Sequence, residues 1–148
     1  MSPVAELAGE LLRGGAPVRI KARGGSMLPF IRDGDVVLVN PAGNSEIRLG
    51  DVICYETSPG TLFLHRVVRR RAERFVTKGD ALDFTDLVFP GQVLGKAVAV
   101  VGRRRLRRLD TRTARWRNRA IAFFSPILPQ LLLPALRLRR KWRAALRG

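Results

Sequence analysis

A mainly β domain, preceded by a short helix and followed by a basic amphipathic helical appendage, is the fold this sequence predicts, on three observations. Between Val18 and Val101 the apolar residues fall in period-two or short continuous runs, as strands require. Those runs are punctuated by Gly24-Gly25, Asp33-Gly34-Asp35, Asn40 to Asn44, Ser58-Pro59-Gly60 and Pro90-Gly91, residues that favour turns. After Gly102 the chain becomes arginine-rich and its apolar residues recur three and four apart.

Taken in order, Ser2 and Pro3 suit an N-cap and a first helical residue, Leu7, Ala8 and Leu11 share a helical face, and Gly14-Gly15 stops the helix. A helix over 3–13 follows. Strand candidates are Val18 to Ala22, Val36 to Val39, Val52 to Tyr55, Leu62 to Val68, Phe75-Val76 and Val93 to Val101. Beyond them, Leu106, Leu109, Thr113 and Trp116 have helical spacing, as do Leu138, Trp142 and Ala145. The expected division is an N-terminal helix over 1–16, a β domain over 17–102 and a basic segment over 103–148.

Ala120 to Leu136 carries no charge but contains Pro126, Pro129 and Pro134. A straight helix of that length reaches about 25 Å, short of a hydrocarbon core of roughly 30 Å, and interior prolines break helices. An interfacial or re-entrant segment, flanked by basic residues and by Trp116 and Trp142 at headgroup depth, fits better than a simple span.

Charge separates the same parts. Of 28 Lys and Arg residues against 12 acids, 103–148 holds 15 basic residues and only Asp110, giving +14, whereas 1–102 carries +2. Such a block seeks an anionic partner. Because Phe123, Phe124, Leu131 to Leu133 and two tryptophans interleave with it, an anionic membrane surface is the expected partner and nucleic acid is disfavoured. Cys54 is the single cysteine, so no internal disulfide exists, and its place in Val52-Ile53-Cys54-Tyr55 suits a buried structural thiol. Met1 to Leu12 has neither a basic n-region nor an unbroken apolar run, which predicts no cleavable signal peptide. With basic residues on both flanks of Ala120 to Leu136, a membrane-associated chain whose active site faces the cytoplasm is the expectation.

For chemistry, Gly24-Gly25-Ser26-Met27-Leu28-Pro29 sets a hydroxyl in a glycine-flanked turn that leads toward Val36 to Val39. A serine nucleophile needs a fixed backbone and nearby N–H donors, which such a turn provides, although serines in turns are commonly only turn residues. His65, the single histidine, is the available base, with an unperturbed pKa near neutrality. One His and one Cys far apart supply no metal ligand set, and no cofactor is expected.

Gly25-Ser26-Met27-Leu28-Pro29, Asp33-Gly34-Asp35-Val36-Val37, Gly50-Asp51-Val52-Ile53, His65-Arg66-Val67 and Thr77-Lys78-Gly79-Asp80 occur in that order. Over 17–101 this series resembles the serine peptidases of the signal peptidase and self-cleaving repressor superfamily. The resemblance implies their coiled β fold. His65-Arg66-Val67 is similar to the branch that pairs serine with histidine, found in endoplasmic-reticulum, archaeal and sporulation-type signal peptidases, rather than with lysine.

In that branch the Thr-Lys-Gly-Asp block supplies an aspartate, here Asp80, and a second acid follows six residues on, here Asp86. The resemblance therefore implies a site of Ser26, His65, Asp80 and Asp86, with one of the two acids orienting the histidine. Ala81-Leu82 stand where the family has asparagines, which makes Asp83 a rival to Asp86. Lys78 lies in the acid-bearing block and is given a structural or surface role. The implied function is an endopeptidase that cuts a signal, leader or propeptide laid out as an extended strand, with small residues before the cleaved bond. Two other classes remain: a regulator similar to the self-cleaving repressors that binds nucleic acid, and a catalytically inactive peptide-binding relative.

Overall fold

Each expected apolar run becomes a strand of one antiparallel sheet. The structure is a computed structural model and describes residues 2–131 and 134. Helix α1 (Pro3–Arg13) leads to β1 (Val18–Lys21), β2 (Val36–Pro41), β3 (Val52–Ser58), β4 (Thr61–Arg71), β5 (Arg74–Lys78), β6 (Asp86–Val88), β7 (Val93–Val101), β8 (Leu106–Arg108) and α2 (Arg112–Phe124). The neighbour order is β1-β2-β7-β3-β4-β5-β6, with β8 on β7. Strand β7 holds the sheet together: Gly95 to Val101 pair with β2, Val93 to Lys96 with β3, and Ala99 to Val101 with β8. Register shifts in four of the ladders bend the sheet, so it is coiled rather than flat.

The coiling buries both faces of β3. Val52 and Cys54 join Val37, Val39, Leu94 and Val100 in one apolar cluster, while Ile53 and Tyr55 join Ile47, Val67, Phe75 and Val88 in another. A strand buried on both sides reads as a continuous apolar run, as Val52 to Tyr55 does. Cys54 is fully buried, and burial, then the charge of Glu56, pushes its thiol up to about 12. It is an inert core residue at neutral pH.

Two elements differ from expectation. Helix α1 has the expected span but turns Gly9 and Leu12 inward, leaving Leu7 and Leu11 exposed. Ser2 serves it through its carbonyl, which accepts from Ala5 and Glu6, and its hydroxyl makes no cap. The run from Leu106 is not helical: Leu106–Arg108 forms β8, because the free edge of β7 offers ladder partners, and α2 begins at Arg112. Thr111 caps α2, accepting from the Ala114 amide at 3.2 Å.

Ala114, Ile121 and Ala122 are buried and Asn118 Nδ2 donates to the Leu109 carbonyl, so 106–125 packs on the β domain. The helix ends at Phe124, ahead of Pro126, and helical backbone resumes at 128–131. Among the described residues no helix is long and apolar enough to cross a membrane. The helix expected around Leu138, Trp142 and Ala145 lies outside the described residues.

Helix α2 is seated on Gly50. This residue has φ +92°, and a Cβ there would come within 2.7 to 2.8 Å of the Asn118–Arg119 backbone. Gly50→Ala is expected to cost about 2–4 kcal/mol, from left-handed backbone and overpacking together. Gly91→Ala, in open space, is expected to be near neutral. Urea unfolding of both variants checks this; equal midpoints would mean that α2 is not seated on the β domain at Gly50.

Candidate active site

Ser26 lies in the connection between β1 and β2, which is closed at its base by Ala22 N–H to Asp35 O at 2.8 Å and Gly34 N–H to Ala22 O at 2.9 Å. Asp33 Oδ1 accepts from the Gly24 amide at 2.9 Å. Directly after the serine the chain makes a helical turn, Ile31 N–H to Met27 O, and buries Met27 and Ile31 in the core. The glycine pair thus supplies the bend and the apolar residues after it supply the anchor. Ser26 O accepts from Ala81 N–H at 2.9 Å, tying the loop to the turn after β5. Gly79 must be glycine there, since a Cβ would stand 2.7 Å from Ser26 O. The Ser26 N–H meets no acceptor among the described residues, so it is free to receive a developing oxyanion.

His65 and Arg66 are consecutive on β4, so their side chains go to opposite faces of the sheet. On one face the register places His65 opposite Ile53, and Val67 opposite Thr77, which in turn faces Asp86. There His65 Nδ1 lies 3.1 Å from Asp86 Oδ2 and 3.0 Å from the Tyr55 hydroxyl, which itself donates to Asp86 Oδ2 at 3.1 Å. With Nδ1 engaged, Nε2 is the nitrogen left for a nucleophile. His65 is 4% exposed, and burial holds its pKa below the usual value against the opposing charge of Asp86 and, less, of Asp80. It is therefore neutral, and able to accept a proton, at pH 7.

On the other face Arg66 reaches Asp80, Nε and Nη2 each donating at 2.8 Å, while Nη1 donates to Gly50 O at 2.9 Å. Of the two acids named with the serine and histidine, Asp86 meets the imidazole and Asp80 meets the arginine. Asp83 is exposed and touches neither. Lys78 pairs with Arg66 in the ladder, so it lies on the arginine side, where its Nζ donates to Ser125 O at 2.6 Å and to Ser125 Oγ at 3.0 Å. It is buried, which lowers its pKa, and it acts as a clamp on the end of α2.

Ser26, His65, Asp86 and Tyr55 line one cleft of about 850 Å³, walled mostly by apolar side chains including Ile20, Leu64 and Leu87. Two strand edges face it: β1, an edge of the sheet, and Thr61 to His65 of β4, which pair with β3 alone. Ala5 and Ala8 of α1 complete the wall. No direct hydrogen bond joins Ser26 to His65, and catalytic contacts of this kind commonly tighten only around substrate.

Tyr55 is the residue that the sequence pattern did not single out. A tyrosine inside a buried run must place its hydroxyl on a partner, and as the only tyrosine of the chain, in the strand candidate directly preceding the one with His65, it carries that signal. Burial pushes its phenol well above the ordinary value, so it stays a neutral donor.

A family model described as Peptidase S24-like matches residues 6–102, about two thirds of the chain. No curated protein matches it.

Asp80→Ala would leave the Arg66 guanidinium buried without its carboxylate and is expected to cost about 3–5 kcal/mol. Asp86→Ala, at a partly exposed carboxylate, is expected to cost about 1 kcal/mol or less. Chemical denaturation separates them; a larger loss at Asp86 would mean that the structural and the imidazole-facing acids had been assigned the wrong way round.

Proposed function

The chain belongs to the Peptidase S24-like family, and from that premise we propose that it is a serine endopeptidase of the signal-peptidase kind, cutting an extended leader or propeptide with a Ser26–His65–Asp86 triad. The observation that carries the proposal is the His65–Asp86 contact of 3.1 Å in the wall of the cleft that Ser26 also lines. Family and fold alone fit either a peptidase or a self-cleaving protein.

In the proposed reaction Ser26 Oγ attacks the scissile carbonyl while His65 Nε2 takes its proton. The Ser26 N–H receives the oxyanion. Collapse breaks the C–N bond, and the imidazolium returns the proton to the leaving amine. Water, deprotonated by the same nitrogen, then releases the acyl group and regenerates Ser26. Asp86 fixes the Nδ1–H tautomer and stabilises the imidazolium, and Tyr55 holds the Asp86 carboxylate toward the ring. Lys78 takes no part, because Ser125 occupies its ammonium. The free edge of β1 or of Thr61 to His65 suits an extended peptide, which would gain main-chain hydrogen bonds beside the nucleophile.

Incubation with a library of leader peptides, read by mass spectrometry, tests the proposal. Cleavage in trans is expected, and its loss in both Ser26→Ala and His65→Ala; cleavage unchanged in either variant would overturn the mechanism. Product formed only from the chain itself, at a rate independent of added peptide, would instead indicate a self-cleaving protein.

The pH profile gives a second check. The rate is expected to rise with pH through the lowered His65 pKa and to level off before neutrality. Because the Asp86 charge raises that pKa, Asp86→Asn should move the acid limb to lower pH while kcat falls by about 10²–10⁴. Tyr55→Phe should lower kcat by roughly tenfold, about the worth of one hydrogen bond, with KM unchanged. An acid limb that moves upward in Asp86→Asn would exclude this pairing.

A further inference from the structure

A second cleft, of about 1000 Å³, lies on the far side of the loop that carries Ser26. Its walls hold six guanidiniums, from Arg32, the Arg103–Arg105 run, Arg107 and Arg117, against the carboxylates of Asp33 and Asp35. Both acids are already committed to the backbone, Asp33 to the Gly24 amide and Asp35 to the Arg32 amide at 2.9 Å. Arg107 gives one Nη to the Phe30 carbonyl, and its Nε is buried with no acceptor among the described residues. Residues 135–148 contain no aspartate or glutamate, so no side chain there neutralises the cluster. A concave site with surplus guanidiniums and an unmet buried donor is built for an anion, and the planar fork of arginine suits phosphate.

The surroundings indicate which phosphate. Arg117 lies next to Trp116 on α2, and Trp116, Ala120, Phe123 and Ile127 follow one another at helical spacing on the side away from the domain. Trp116 is 74% and Phe123 79% exposed, whereas Ala114, Asn118 and Ile121 on the opposite side are buried. An outward apolar ridge beside an arginine pocket matches a lipid bilayer, with acyl chains for the ridge and headgroups for the pocket; nucleic acid offers the ridge nothing.

We infer that the arginine pocket binds the phosphate of an anionic phospholipid headgroup and, with the α2 ridge, seats the domain on an acidic bilayer. Phe30 and Arg32 in its wall continue the Ser26 loop, so the seated domain has its catalytic loop next to the membrane.

The test is binding, independent of cleavage. The full chain carrying Ser26→Ala is floated with vesicles of phosphatidylcholine alone or of phosphatidylcholine with phosphatidylglycerol, at physiological salt. Binding to the acidic vesicles only is expected. Arg103, Arg104 and Arg105 changed together to Gln should weaken it roughly a hundredfold, at about fivefold for each arginine. The charge-matched set Arg48, Arg69 and Arg71 to Gln, outside the pocket, should change it less than about tenfold. Trp116→Ser should weaken it as well, with unchanged thermal unfolding confirming an intact fold. Equal losses in the two arginine sets would replace the pocket with diffuse charge and overturn the inference. So would equal binding to neutral vesicles, complete displacement by millimolar inorganic phosphate, or tighter binding to duplex DNA or to an acidic protein.

Discussion

Arg66 is 2% exposed and donates to three acceptors, two oxygens of Asp80 and the carbonyl of Gly50, and three segments distant in sequence are arranged around those bonds. Asp80 fixes the turn after β5, and that turn, through Gly79 and Ala81, supports the carbonyl of Ser26. Gly50 is the seat of α2. The Ser26 loop, the His65-bearing strand and α2 are therefore referred to one buried guanidinium. A buried ion pair of this kind adds little net stability over a well-packed apolar substitute, but breaking it leaves a charge in a low-dielectric interior. Its use here is geometric: it allows only one relative placement of three segments distant in sequence.

The opposite face of the same strand carries the His65 cluster. Strand alternation sends His65 away from Arg66, into the company of Tyr55 and Asp86, with Phe63 stacked 5.7 Å from the Tyr55 ring. Two carboxylates close in sequence are thereby separated into one that builds and one that faces the imidazole. Burial keeps the imidazole neutral, while Asp86 lowers the cost of its protonated state. These opposed effects favour a base that is free at neutral pH yet able to hold a proton briefly.

The basic residues have a separate logic. Arg19, Lys21 and Arg23 line the Ser26 cleft, six arginines collect behind the Ser26 loop, and others flank the outward side of α2. The integration of α2, through Gly50 and the Lys78–Ser125 clamp, means that a force or ligand acting on the helix meets the same framework that positions Ser26.

Local pattern determined much of this protein. Period-two apolar runs and turn residues specified the strands from Val18 to Val101, and Gly25-Ser26-Met27 and a lone His65 marked the candidate reacting groups, because each of these signals is carried by a few neighbouring residues. What the tertiary structure decided depends on register and on segments meeting across the chain. Leu106–Arg108 became a strand rather than helix because β7 had an open edge, and α1 buried Leu12 rather than Leu7 because of where the sheet lay. Asp80 and Asp86 took different partners because they reach opposite faces of a coiled sheet, and Tyr55 entered the site because the β3–β4 register set its hydroxyl beside a histidine ten residues away. Spacing along a chain encodes which face a residue takes within its own strand, but which partner waits there is fixed only when distant strands pair.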